Sequence, residues 1–300
     1  LRPCPPLPPE IRQRWSPAPV GLLTADDIPS SLPVDRQVPP VPFRGGSEAA
    51  GERLDTFLAE GLAGYHQDRN HPDRGGGSGL SPWLHWGHLS SSQVLERVLE
   101  GEGWTPARLP EKATGSREGW WGLGAGAEAF LDELVTWREL GYRTAWHEDD
   151  PEHWDRLPAW ARETLLEHAE DPRPHVYELA EFEEARTHDP VWNAAQRELR
   201  GRGTIHNYMR MLWGKKVLEW TAHPREALRI LLHLNNRWAV DGRNPNSTSG
   251  ISWVLGRYDR GWPEREVFGK VRSMTTRSTR RKVDLDAWLR RWGSTPSGPD

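Results

Sequence analysis

Three hundred residues, 36% apolar and 27% charged, carry a formal net charge of −4 at pH 7. That length suits two domains or one large one, no apolar run approaches the ~20 residues of a membrane span, and no signal-peptide leader opens the chain. Cys4 is the single cysteine, which excludes an internal disulfide framework and a thiolate metal site and points to a reducing cytoplasm.

Residues 1–45 hold 12 of the 26 prolines and little periodic hydrophobicity, so an extended linker or surface wrap is expected there. Because the chain opens on Leu1 rather than Met, it is expected to be a piece of a longer product or a processed one. From residue 46 onward the pattern turns helical. Leu54, Phe57, Leu58 and Leu62 recur at helical spacing, and the same period marks 90–99, 127–140, 158–168, 177–185, 190–199, 205–220, 224–239 and 284–292. Pro190 and Pro224 stand where first helical positions are expected. No period-2 strand, βαβ unit or internal repeat emerges, which predicts one mainly α domain over 46–300.

Several patterns bear on chemistry. The glycines of 122–127 imitate a dinucleotide loop but lack a preceding strand, so a helix-entry loop is expected. His147 and His153 flank an acidic run without the helical spacing of metal ligands, and no zinc-hydrolase, P-loop or Ser-hydrolase motif is present. The glycine-rich stretch 74–79, followed by Ser81, has backbone amides and hydroxyls that could cradle a phosphate, although a plain loop explains it as well. Glu133 and Trp137 share a helical face and suit a flat, hydrogen-bonding ligand, or are an ordinary amphipathic pair. Eleven Lys/Arg against five Asp/Glu between Arg257 and Arg291 make a local basic excess, readable as a phosphate surface or a solvated face.

Tryptophan is the strongest bias: 18 Trp against 5 Phe and 5 Tyr. Trp213 and Trp220 lie two helical turns apart, about 10 Å along the axis, and Trp192 falls on the preceding predicted helix. Core filling accounts for three such indoles; so does relay of an electron.

The stretches LSPWLHWGHLS (80–90), ELVTWRELGY (133–142), THDPVWNAAQREL (187–199), GTIHNYMRMLWGKKVLEW (203–220), LNNRWAVDGRNPNS (234–247) and GISWVLGRYDRGWPEREVFGKVRSM (250–274) occur in one order. Together they closely resemble the FAD-binding domain of class II cyclobutane pyrimidine dimer photolyases, from Tyr65 to about Trp292. The resemblance implies a helical domain holding FAD, reduced in its active form, beside a hole for a flipped-out thymine dimer. It also implies that residues 1–45 are an interdomain linker, and that an N-terminal α/β antenna domain with its pigment is absent from this piece.

Carried over by resemblance, Tyr65 and Ser78, Gly79, Leu80 and Ser81 hold the diphosphate, with Gln93 and Arg138 nearby. Asn235 faces flavin N5, and Arg210 pairs with Asp241 against the ring system, next to Gly242 and Asn207. Glu133, Trp137 and Trp253 meet the dimer, and Met211 sits at the flavin–dimer boundary. Trp213, Trp192 and Trp220 match the electron-transfer chain, and Lys270, Arg272 and Arg281 meet DNA phosphates. Thr248 and Ser273 stand where the family often has Tyr, Asn236 and Asn244 where Asp is common, and Asn207 where Gly is frequent; these departures bear on repair efficiency. The implied activity is light-driven splitting of dimers in DNA by a monomeric, cytoplasmic, nucleoid-associated photo-lyase without metal. A cryptochrome-like FAD photoreceptor and an inactive DNA-binding fragment are the alternatives.

Overall fold

The computed structural model describes residues 8–14, 18–24, 32–112, 119 and 121–293. The chain divides into two units, Leu1–Val38 and Pro39–Asp300. The first contains two short helices, α1 (Pro9–Arg14) and α2 (Val20–Leu23). Two short helical turns thus interrupt the stretch expected as an extended linker or surface wrap. Pro9 opens α1 and Pro19 immediately precedes α2, positions where a fixed φ and a missing N–H cost a helix nothing.

In the second unit, α3 (Ser47–Thr56) runs on into a π turn at Phe57–Gly61 and is followed by α4 (Tyr65–Asp68), α5 (Ser81–His85) and α6 (Ser91–Gly101). Then come α7 (Ala125–Leu131), a π segment (Asp132–Trp137) and α8 (Arg138–His147), continuous along one rod. Next are α9 (Ala159–Glu167), α10 (Leu179–Glu183), α11 (Pro190–Arg202) and α12 (Asn207–Glu219). The series closes with α13 (Pro224–Trp238), α14 (Pro245–Val254), α15 (Thr276–Lys282) and α16 (Asp286–Trp292). Among the described residues the one β pairing is an isolated bridge, Arg265 to Gly269. No described helix is long and apolar enough to cross a membrane.

Two devices start the helices that matter most. Pro190, Pro224 and Pro245 sit in the first turns of α11, α13 and α14. Asp189, His223 and Asn244 precede them and accept backbone N–H bonds, which satisfies donors that a helix start leaves free. Gly203 ends α11 in the left-handed region at φ 69°.

The core has two parts. Around α3, α6 and α7, Leu54, Phe57, Val94, Val98, Phe130 and Leu131 close together. The other centres on α12, which packs against α11, α13 and α14. It buries Met209, Leu212, Trp213, Lys215, Val217 and Leu218, so its buried surface goes all the way round. A helix of that kind is interior, and whatever polar groups it carries must be paired or used.

Candidate functional site

The three indoles expected from sequence meet. Trp192 on α11 lies between the other two: its ring is parallel to Trp213 (6.4 Å between centroids, 6° between planes) and edge-on to Trp220 (6.2 Å, 66°). Trp192 and Trp213 are essentially buried. Both indole N–H groups are held: Trp192 Nε1 donates to the Trp213 carbonyl at 3.0 Å, and Trp213 Nε1 to Gln196 Oε1 at 2.9 Å. Gln196 was not anticipated; its signal in the sequence is its spacing one turn after Trp192. With both donors satisfied, the rings are fixed in orientation as well as in place.

One turn before Trp213, Arg210 reaches Asp241 at 3.4 Å. Asp241 follows α13 in a turn whose next residue, Gly242, leaves no room for a side chain: a Cβ there would meet the Asn235 and Ala239 carbonyls at 2.8 and 2.9 Å. Asn235, buried on the last turn of α13, gives Nδ2 to Asn236 Oδ1 at 3.0 Å and to Ser247 Oγ at 3.2 Å. Both its N–H bonds are thereby engaged within the protein, and Oδ1 is the end left to accept. Asn207 and Met211 lie on α12 beside Arg210.

At the start of α12, His206 Nδ1 accepts the Tyr208 backbone N–H at 3.3 Å. The proton then resides on Nε2, and that buried nitrogen has no partner among the described residues. Burial lowers the imidazole to about 4, with Asp73 pulling it up and His71 down.

The loop before α5 is braced by Arg53, whose Nε and Nη2 donate to the Ser78 and Gly77 carbonyls at 2.7 and 3.0 Å. Gly79 adopts φ +67°, and Leu80 and Ser81 lead into α5. Further on, His85 meets Asn244 Nδ2 at 2.9 Å, and the same amide donates to Tyr142 Oη at 3.3 Å. Arg138 lies over the Tyr142 ring at 4.2 Å and pairs with Glu139. The end of α5, α8 and the turn after α13 are therefore joined through Asn244. Gln93 lies in the first turn of α6, where its backbone N–H is taken by Ser90.

Glu133 and Trp137 belong to the π segment, in which Arg138 N–H reaches back to the Glu133 carbonyl. Such a turn brings residues five apart together, and Trp137 Nε1 donates to Asp132 Oδ2 at 3.1 Å. Glu133 is half-buried and bonded to Arg69 Nη1 at 2.7 Å. Burial raises its carboxyl above the ordinary range, while Arg69 pulls it back. Tyr65 packs against Phe57 and Phe130, with Arg69 5.7 Å from its ring centroid. Arg69 thus ties Tyr65 to Glu133. Burial raises the Tyr65 phenol strongly.

Trp253 is half-buried on α14, a helix that hydrophobic periodicity alone did not reveal although Asn244 and Pro245 announce its start. Two cations flank it: Lys215 Nζ 4.6 Å from the ring centroid and Arg272 at 5.7 Å. Lys215 is fully buried on α12 and donates to the Val254 carbonyl at 2.6 Å; burial lowers it to about 7. Arg272 also lies over Trp262 at 4.8 Å. Lys270 is exposed, and Arg281 lines an open recess of about 390 Å³ with Arg280, Lys282, Asp284 and Asp286. Of the departing positions, Thr248 Oγ1 and Asn236 Nδ2 both reach Glu152 Oε1, at 3.1 and 3.5 Å. Ser273 is half-buried in the loop before α15.

Two earlier expectations resolve locally. Glu128 on α7 accepts from the backbone N–H groups of Gly119, Trp121 and Gly122, so this carboxylate, on the helix that the loop enters, fills the glycine-rich loop. His153 caps the short turn Trp154–Arg156, and His147 ends α8.

No family model matches the chain. It is 41% identical over 252 residues to a deoxyribodipyrimidine photo-lyase of Methanothermobacter thermautotrophicus, covering 84% of this chain and 52% of that protein. It is 39% identical over 250 residues to the one of Oryza sativa (81% and 46%) and 37% over 264 residues to that of Potorous tridactylus (87% and 46%). The chain spans about half the length of these curated relatives. Among solved structures, a class III photolyase from Agrobacterium tumefaciens superposes with a TM-score of 0.56 at 20% identity, covering 88% of this chain and 51% of that one. A Synechocystis cryptochrome does so with 0.56 at 18%, covering 85% and 48%.

Proposed function

The chain belongs to the photolyase/cryptochrome superfamily, and on that premise we propose that it binds FAD and repairs cyclobutane pyrimidine dimers in DNA by light-driven electron transfer, as a photolyase of class II. In this reading residues 46–300 are the FAD-binding catalytic domain and residues 1–45 the interdomain linker. The carrying observation is the indole array beside the Arg210–Asp241 pair: Trp192 on α11 in ring contact with both Trp213 and Trp220, the series leading away from a charged, half-buried end of α12.

The residues fit the cofactor. Asn235 offers an acceptor oxygen, which suits a protonated flavin N5. Gly242 lets the turn that carries Asp241 pack tightly on the end of α13, where any Cβ would meet backbone, and so fixes Asp241 beside Asn235. The orphaned Nε2–H of His206, at the N-terminus of α12, is a donor of the kind an anionic group meets. When bound, reduced FAD supplies the photoexcited electron that opens the cyclobutane ring and later recovers it.

The chain's own residues do the rest. Glu133 is positioned by Arg69, and when protonated, the direction in which burial shifts it against the pull of Arg69, its carboxyl can donate to a base carbonyl. Trp137, oriented by Asp132, and Trp253, between Lys215 and Arg272, offer faces for the dimer's rings. Lys270, Arg272 and Arg281 supply positive charge for phosphates. A dimer weakens its own pairing, which lowers the cost of turning it out of the duplex.

The test is direct. Purified protein should show flavin absorption, and after chemical reduction and illumination it should restore thymines in a dimer-containing oligonucleotide. Flavin bound and reduced with no restoration would leave the photoreceptor reading; no flavin would remove both.

A further inference from the structure

We propose that Tyr177 is the outermost electron donor of the indole array and that His188 receives its proton, an assignment that rests on the flavin reading above. Tyr177 lies just before α10, and its backbone N–H donates to the Trp220 carbonyl at 2.9 Å. Its ring stands edge-on to Trp220 with 6.0 Å between centroids, about the spacing that separates the indoles themselves.

The hydroxyl is bound on two sides by one residue. The backbone N–H of His188 donates to Tyr177 Oη at 2.9 Å, and Nδ1 of the same residue lies 2.8 Å from that oxygen. Because Oη already accepts from the backbone, its own hydrogen is directed at Nδ1. The imidazole also touches the oxidant: its ring is 4.8 Å from Trp220 and edge-on at 63°. Phenol, base and indole are therefore in mutual contact. Around the imidazole stand His175, stacked at 3.7 Å, together with Asp189, Lys216 and Glu219. Burial and then His175 hold His188 below the ordinary imidazole range, which keeps Nδ1 free to accept.

The step balances. A Trp220 radical cation, formed when an electron is drawn inward through Trp192 and Trp213, takes one electron from Tyr177. The phenolic O–H bond breaks, an N–H bond forms at His188 Nδ1, and the products are neutral Trp220, a neutral tyrosyl radical and an imidazolium. An undisturbed phenol loses its proton only near pH 10, so at neutral pH oxidation needs a base in hydrogen-bond reach. The two inner indoles lack one. Trp192 and Trp213 donate to a peptide carbonyl and a carboxamide oxygen, neither of which takes a proton. A positive charge can pass over them but settles where the proton can leave, and His188 is exposed enough to release it to water.

The experiment uses the full chain with oxidised flavin, flash illumination and electron paramagnetic resonance of the trapped radical. Wild type should give a tyrosyl signal whose formation slows in D₂O. Tyr177→Phe, which keeps the ring packing, should give an indole radical instead and faster charge recombination. His188→Asn, whose Oδ1 can accept the hydrogen bond but not the proton, should lose the tyrosyl signal with Tyr177 still present. A tyrosyl signal that survives Tyr177→Phe, or one unchanged in His188→Asn, overturns the assignment. Should the chain bind no flavin, the same variants are oxidised with a photoexcited ruthenium polypyridyl and a sacrificial acceptor. Loss of the tyrosyl signal in both variants then supports Tyr177 and His188 although the flavin reading has failed, and its persistence in either refutes them independently.

Discussion

Trp192 and Trp253 are the same residue in opposite surroundings. The first is sealed between α11 and α12, its N–H tied to a carbonyl and its neighbours aromatic. The second is half-open, with a cation against its ring from α12 and another from the loop after α14. A sealed stack keeps fixed spacings and excludes water, which suits transfer of charge between rings. An open ring between cations keeps a face for something that arrives from outside, and cations beside it favour an anionic polymer. In the proposed reading the indole side is a fixed path, and the π-segment and α14 side is a receiving surface.

The sharpest way to break this contrast is Trp213→Phe. It should abolish light-driven reduction of bound oxidised flavin and leave repair by chemically reduced protein near wild type. Equal loss of both activities would make the stack mere core. Next in size is Glu133. Replacing it with Ala removes a hydrogen bond that involves a partly buried carboxyl, about 1.5–3 kcal/mol, and should lower repair turnover roughly 10- to 100-fold. Glu133→Gln retains an N–H donor and should lose much less. A Gln variant as damaged as the Ala one would mean that Glu133 acts as an anion rather than as a donor.

The two sides were not equally legible. Helical period, first-turn prolines and the order of the Trp-bearing stretches were enough to place α11, α12 and α13 and to bring three indoles into contact, because a buried helix writes its packing into its sequence. The receiving side left fainter traces. Its π segment breaks the spacing that a helical reading assumes, so Asp132 as the holder of Trp137 was invisible. Arg69, which positions Glu133, lies 64 residues away in sequence with no motif around it. Lys215 stands in sequence beside Lys216 like any solvated cation; only the packed structure shows that it is buried beneath Trp253. Long-range polar partners are set by tertiary geometry, and one sequence does not encode their pairing locally.

Lys215 lies where the two sides meet, and its ionisation offers a third test. Its folded pKa, about 7, is depressed from an ordinary 10.5. Between those values the unfolded chain binds more protons than the folded one, so stability rises with pH across that window. Below it both states are charged and the burial cost is fully present. Lys215→Met should therefore flatten the rise in Tm that wild type shows from about pH 7 to 9, an effect on the order of a few kcal/mol. A rise of equal slope in both proteins would place the Lys215 ammonium in better-solvated surroundings.

At the other end of the same helix the sign in acid is governed by His206. Its folded value is about 4 against 6.5 unfolded, so the unfolded chain takes up the proton first as pH falls. The neutral ring's contribution is intact above about pH 6.5 and is lost progressively down to about pH 4, amounting to about 3 kcal/mol. His206→Asn keeps a capping acceptor for the Tyr208 N–H and removes the titration. Denaturant melts of flavin-free protein at pH 7.5 and pH 4.5 should bring the two proteins closer together in acid, the variant losing less. With flavin bound the comparison becomes sharper. If Nε2 meets an anionic part of the cofactor, the ligand raises the imidazole's affinity for a proton, and wild type should then hold its flavin more tightly as pH falls from 7 to 6 while the Asn variant does not. Identical pH dependence in both would leave His206 as a cap alone and remove the orphaned nitrogen from the cofactor's surroundings.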